Sequence, residues 1–226
     1  MFIIKVKEKS KLKKVGEWMG IYLNPGSAMF QKSLKSKIYV DKSGLLAILN
    51  ELVDTEQRYV CVSRPRRFGK SMAANMLAAY YGSSEDTSAL FASLEISQCT
   101  GYRDHLNQYD VLKINMQDFL SESQSIEDML AHLTACLIRD LKNGFPQIDF
   151  SYAKSLVSVM REVFAQTGRS FVILIDEWDC LFREYESNKE AQKQYLDFLR
   201  VWLKDKEYVG LAYMTGILPI KKYGSH

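Results

Sequence analysis

Apolar residues follow two patterns along this chain: short runs that are almost wholly apolar, and longer stretches with helical spacing. The runs at residues 59–62, 111–116, 171–175 and 208–214 predict buried strands. Strands that are apolar on both faces and separated by helix-length segments are typical of a parallel sheet covered by helices on each side. We therefore predict an α/β fold.

The segments between these runs carry apolar residues at intervals typical of amphipathic helices. Ser125 and Asp128 have the spacing of a capping box that opens a helix, and Gly168 is suited to end one because glycine adopts the left-handed conformation easily. We predict helices over residues 45–53, 71–81 and 191–202, from Ser125 onward, and from Ser151 to Gly168.

Charge and turn residues predict two parts of unequal size. Residues 1–35 form a basic, turn-rich segment, since six lysines crowd the first fourteen positions and Asn24-Pro25-Gly26-Ser27 breaks the chain. Residues 36–226 carry the strand and helix patterns and form the main domain. The whole chain has 30 Lys and Arg against 27 Asp and Glu, and this net charge of +3 does not by itself indicate a nucleic-acid surface.

Targeting and metal signals are weak in this sequence. The apolar run at the start is too short for a signal peptide, and no window approaches the roughly 18 apolar residues of a membrane span. The four cysteines are far apart with no CxxC pair, which favours reduced thiols over a zinc site. We expect a cytoplasmic protein with no membrane partner.

A phosphate-binding loop is predicted directly after the first strand. Gly69-Lys70-Ser71 has the form G-K-[ST], in which glycine lets backbone N–H groups surround phosphate oxygens, lysine reaches the β and γ phosphates, and the serine hydroxyl binds Mg²⁺. The usual pattern opens with a glycine where Arg64 stands here. The candidate nucleotide-binding residues are Arg64, Pro65, Arg66, Arg67, Phe68, Gly69, Lys70, Ser71 and Met72.

Acidic and hydroxyl side chains follow two later strands. Asp176 is expected to hold Mg²⁺ together with Ser71, and Glu177 to orient and deprotonate the attacking water. The alternative for either acid alone is a strand that ends in exposed carboxylates. Thr215 ends the last predicted strand, where it either contacts the γ-phosphate or the water, or simply begins a turn before Gly216.

These residues together resemble the AAA-ATPase-like family of prokaryotes. The resemblance extends from about Ile21 onward and is carried by the sequences IYVDKSG (38–44), SRPRRFGKS (63–71), DEWD (176–179) and MTGILPI (214–220). It implies that the missing first glycine is normal for the family, although Trp178 stands where similar proteins usually have tyrosine. Family members commonly carry a nuclease domain after the NTPase domain.

The resemblance also implies a sheet in which the phosphate-loop strand lies between the strand ending at Thr215 and a fifth strand. This chain stops at His226, so we expect a P-loop NTPase fold truncated before the last core strand and lid. The free edge of the first strand is then expected to pair with residues 2–6 or to mediate self-association.

The function expected from these observations is ATP and Mg²⁺ binding with slow hydrolysis, as a module of a larger protein or complex. A pseudo-ATPase that binds nucleotide without turnover is the alternative, and a small-molecule kinase is a weaker third because paired acids on a strand suit water activation. Arg64, Arg66 and Arg67 could neutralise phosphates, reach a neighbouring subunit or contact a nucleic acid. The possible partners are a nucleic acid, another protein or a second copy of the chain.

Overall fold

A computed structural model describes residues 20–218, and within them four strands form one parallel sheet. The strands are β1 (Tyr59–Ser63), β2 (Asp110–Asn115), β3 (Phe171–Asp176) and β4 (Val209–Gly216), in the spatial order β1-β4-β3-β2. All three pairings are parallel. The predicted α/β fold and its four strands are confirmed, as is the pairing of β1 with β4.

Helices connect the strands and cover both faces of the sheet. In chain order they are α1 (Ala28–Leu34), α2 (Gly44–Asn50), α3 (Lys70–Tyr81), α4 (Ser88–Phe91), α5 (Tyr102–His105), α6 (Met116–Ser121), α7 (Ile126–Gly144), α8 (Leu156–Thr167), α9 (Cys180–Glu184) and α10 (Lys189–Leu203). A short 3₁₀ helix, Glu95–Gln98, lies between α4 and α5. In residues 20–218 none of these helices has both the length and the apolar character needed to cross a membrane.

The central strand β3 explains why the sheet needs two helical layers. Phe171, Ile173 and Ile175 face a core formed with α7, α8 and α10. Val172 and Leu174 face a second core formed with α1, α2 and α3. Successive side chains of a strand point to opposite faces, so an all-apolar strand is stable only when both faces are covered.

The sequence predicted the start of α7 and the end of α8 at the correct residues, but the predicted start of α8 was wrong. The Ser125 side chain accepts a hydrogen bond from the Asp128 N–H at 3.1 Å, and Gly168 ends α8 with a φ of +66°. However, α8 begins at Leu156 instead of Ser151. Ser151 donates its N–H to the Asp149 carboxylate in a local turn, and Ser155 is the residue that caps the helix.

The described part of the predicted N-terminal segment packs against the sheet. Leu23 is fully buried and bridges Leu112 of β2, while Phe30 of α1 enters the core next to α3. The Asn24 side chain exchanges hydrogen bonds with the start of β2, accepting from the Val111 N–H at 2.7 Å. The lysine cluster and residues 2–6 lie outside the described residues, so the pairing of the β1 edge stays a prediction. The boundary at residue 35 also stays a prediction.

Candidate nucleotide-binding site

The sheet order brings the predicted site residues to one edge. Parallel strands all end at the same side of a sheet, and α/β folds bind ligands there. Ser63 at the end of β1 is in register with Gly216 of β4, and Asn115 of β2 is in register with Asp176 of β3. The phosphate loop follows β1, the two acids lie at the end of β3, and Thr215 is on β4 between them.

The loop before α3 has the backbone shape of an anion-binding turn. Arg67 and Gly69 both have positive φ values, +68° and +78°, and α3 begins directly afterwards at Lys70. Free N–H groups in the first turn of a helix attract anions such as phosphate. A side chain at position 69 would be strained, and its Cβ would lie 3.1 Å from the ammonium of Lys42. The fold therefore favours glycine at this position of the G-K-S sequence.

Lys70 lies inside the loop, whereas most of its neighbours face solvent. The ammonium of Lys70 is buried and donates to the carbonyls of Arg64 and Pro65 at 3.0 and 3.1 Å. Of the other predicted loop residues, Gly69 is half-buried. The exposed ones are Arg64, Pro65, Arg66, Arg67, Phe68, Ser71 and Met72.

The start of the loop is tied to the end of β4. The Arg64 N–H donates to the Gly216 carbonyl at 3.1 Å, and the Ser63 hydroxyl donates to the Ile217 carbonyl at 2.8 Å. A shift at the end of β4 would therefore be transmitted directly to the phosphate loop.

Lys42 is a loop contact that the sequence interpretation did not assign. Its ammonium donates to the Phe68 carbonyl at 2.9 Å, which places a second lysine against the loop from the segment before α2. The only sequence signal was its position in the IYVDKSG run, one of the sequences that carried the family resemblance.

Asp176 and Thr215 form a buried pair that joins the ends of β3 and β4. The Thr215 hydroxyl is fully buried and donates to Asp176 Oδ1, which also accepts the Glu177 N–H at 3.0 Å. The same carboxylate acts on Lys113 of β2: burial lowers the pKa of this lysine, and the negative charge of Asp176 opposes that shift. Asp176 is therefore oriented by a hydrogen bond from β4, and its charge reaches Lys113 of β2.

Glu177 makes a contact that the sequence did not predict. Its φ is +51°, in the left-handed region that non-glycine residues seldom adopt. Its carboxylate forms an ion pair with Arg183 of α9, with Arg183 Nη2 and Glu177 Oε2 2.5 Å apart. The predicted catalytic acid is thus partly buried and engaged by an arginine.

Asp179 is a second residue whose role the sequence interpretation missed. It is fully buried, and its Oδ2 accepts the N–H groups of Ile217 and Leu218 at 2.8 and 2.6 Å. It therefore fixes the chain just after β4, next to Thr215. A Cβ at Gly216 would lie 2.7 Å from Asp179 Oδ1, so only glycine allows this close approach. The signal available was a further acid in the DEWD run.

The donor groups at this edge suit Mg²⁺. The Asp176 carboxylate and the exposed Ser71 hydroxyl are hard oxygen donors. Mg²⁺ is usually bound in proteins by one or two carboxylates together with substrate phosphates and water, so this small donor set fits it.

A cavity of about 400 Å³ opens beside the phosphate loop. Its walls are mainly apolar and come from α1, the segment before α2, the loop and α3. These walls include Phe30, Tyr39, Phe68, Met72 and Met76.

Comparison with known proteins agrees with this geometry. The family described as "Predicted AAA-ATPase" matches residues 27–225. The chain is also 26% identical, over 189 residues, to an uncharacterised protein in the vnfD 5′ region of Azotobacter chroococcum mcd 1. That match covers 81% of this chain and 34% of the relative, so the chain spans about a third of that protein. The matched residues include the phosphate loop, both acids and Thr215, and the chain belongs to the predicted AAA-ATPase family.

Proposed function

We propose that this chain binds ATP with Mg²⁺ and hydrolyses it slowly. The observation that carries the proposal is the placement of Lys70, at the first position of α3 in a loop with positive φ at Arg67 and Gly69, two strands away from the Asp176 carboxylate. This arrangement presents N–H groups and an ammonium to phosphates and a carboxylate to a cation.

The cavity beside the loop is the proposed position of the nucleotide base. Phe68 and Met72 line it and stand on either side of the glycine and lysine of the phosphate loop, so a base bound there would lie next to that loop. The remaining walls include Tyr39, Phe30 and Met76, and apolar and aromatic walls favour a planar base.

Asp176 and Glu177 have different proposed roles in hydrolysis. Asp176 and Ser71 would hold Mg²⁺, which neutralises phosphate charge when bound. Glu177 is the proposed base for the attacking water, and Thr215 fixes the orientation of Asp176 through its hydroxyl.

A pseudo-ATPase is the second candidate, and one observation favours it. Glu177 is paired with Arg183 at 2.5 Å, and a carboxylate engaged in an ion pair is a poorer acceptor for a proton from water. Binding would then occur without turnover.

Calorimetry with MgATP tests the binding part of the proposal. We expect Lys70→Ala to weaken binding by about 1.5 to 3 kcal/mol, roughly ten- to a hundredfold in Kd, because a charge-assisted contact to phosphate is lost. Lys204→Ala is the control, since Lys204 is exposed and precedes the start of β4, at the opposite edge of the sheet from the phosphate loop. Equal affinities of Lys70→Ala and wild type would refute the assignment of the loop.

An assay of phosphate release from ATP distinguishes an ATPase from a pseudo-ATPase. Glu177→Gln should keep the ATP affinity and lower kcat by about a hundredfold or more, because the amide cannot accept the proton. The control is Glu56→Gln, which removes a carboxylate that is 98% exposed. Binding without any turnover in the wild type would favour the pseudo-ATPase.

The larger biological role is also a proposal. The basic loop residues Arg64, Arg66 and Arg67 are exposed and suit a nucleic acid or an acidic protein surface, or a second copy of the chain. We place the protein in the cytoplasm, as a module of a longer protein or of a complex.

A further inference from the structure

The ion pair between Arg183 and Glu177 offers a means of controlling turnover. It joins the proposed base to α9, a helix that makes no other predicted contribution to the site. Both side chains are largely buried, with exposed fractions of 16% for Arg183 and 24% for Glu177. A pair shielded in this way is weakened less by salt than an exposed one.

Arg183 has a second carboxylate within reach. Its Nε lies 3.7 Å from Asp179 Oδ1, a separation too long for a hydrogen bond. Both of these atoms are buried, and neither forms a hydrogen bond with any residue in the described range 20–218. A movement of about 1 Å would bring them to the usual charge-assisted distance. Arg183 therefore faces two carboxylates: it is bonded to Glu177 in this structure, and Asp179 is the neighbouring carboxylate to which it could shift.

The backbone conformation of Glu177 also indicates that its neighbours hold this residue in place. Its positive φ is a strained conformation for a side chain that bears a Cβ, and such strain persists only where surrounding contacts enforce it. Asp179 in turn holds the N–H groups of Ile217 and Leu218, immediately after Thr215. Asp179, the alternative partner of Arg183, is therefore linked to the end of β4, which bonds to the phosphate loop through Ser63.

We propose that Arg183 is a positioning residue that restrains Glu177, and that its transfer to Asp179 frees the Glu177 carboxylate for water activation. This inference rests on the proposed ATPase function. It attributes the slow turnover to the restraint on Glu177. The change that frees Glu177 would occur where the start of α9 meets the end of β4.

Substitution of Arg183 tests the restraint directly. In Arg183→Gln, we expect kcat for ATP hydrolysis to rise on the order of tenfold, with the Kd for MgATP unchanged. Arg183→Lys keeps a cation near both carboxylates and should retain part of the restraint on Glu177, giving an intermediate kcat. It also provides a folded variant if the uncompensated Asp179 carboxylate unfolds Arg183→Gln. The control is Arg200→Gln, which removes the same charge from an exposed pair with Asp197 and should leave kcat unchanged.

Three further results would overturn the inference. A fall in kcat in the Arg183 variants at unchanged Kd would show that Arg183 assists Glu177. If the double variant Glu177→Gln/Arg183→Gln hydrolysed ATP as fast as Arg183→Gln does, the increase in kcat would not depend on Glu177. MgATP binding without turnover in the wild type and in both Arg183 variants would refute the restraint alone, whereas failure of the wild type to bind MgATP would refute the proposed function.

Discussion

The Thr215–Asp176 contact permits a quantitative prediction about stability. Thr215→Val preserves the side-chain volume at a fully buried position, so it creates no cavity and removes only the hydroxyl donor. A hydrogen bond to a charged group contributes about 1.5 to 3 kcal/mol. Asp176 keeps one donor, the Glu177 N–H at 3.0 Å, so we expect the lower part of this range, about 1.5 to 2 kcal/mol.

Urea denaturation and thermal melting measure this loss. For a chain of this size the expected free-energy change corresponds to a Tm lower by about 3 to 8 °C. The same substitution in an Asp176→Ala background should cost far less, because the partner of the hydroxyl has already been removed. Such a double-mutant cycle isolates the energy of the pair.

An equal cost of Thr215→Val in both backgrounds would refute the reasoning, since the loss could not then come from Asp176. Turnover gives a separate test of the functional role of Thr215. Thr215→Ser keeps the hydroxyl and should retain ATP hydrolysis, whereas Thr215→Val should lower kcat. Equal kcat values for the two variants would favour a purely structural threonine at the start of a turn.

Other contacts of the site lead to three shorter predictions. Gly216→Ala places a Cβ 2.7 Å from two side-chain atoms of residues 178–179 and should destabilise the fold by about 1 to 3 kcal/mol, so an unchanged urea midpoint would contradict the close approach. Lys42→Met removes the bond to the Phe68 carbonyl and should weaken MgATP binding about fivefold in calorimetry, while an unaltered Kd would show that this contact does not order the loop. Burial, reinforced by the charge of a nearby aspartate, raises the pKa of Cys61 to about 11, so its alkylation followed by mass spectrometry should accelerate about tenfold per pH unit from 8 to 10, and a plateau below pH 9.5 would contradict this burial.

Local sequence determined the parts of this protein that depend on nearby residues. Apolar runs predicted the four strands because helices cover both faces of this sheet, so most strand positions are apolar. The G-K-S sequence predicted the start of α3 to within one residue, at 71 instead of Lys70, since a glycine followed by a helix start is a local backbone property. The cap at Ser125 was equally local. The start of α8 was placed wrongly because two serines, at 151 and 155, offered similar signals and side-chain bonds in the adjoining turn decided between them.

Tertiary structure decided how the site residues meet. The bond from Lys42 to the phosphate loop joins residues 26 positions apart, and Asp179 caps a segment 38 positions further along the chain. The pairing of Glu177 with Arg183 is close in sequence, yet it depends on the positive φ of Glu177 and on the turn that follows β3. Sequence spacing carries no information on the long-range contacts: Asp179 meets the end of β4 only because the order β1-β4-β3-β2 makes β3 and β4 neighbours whose ends lie at one edge of the sheet.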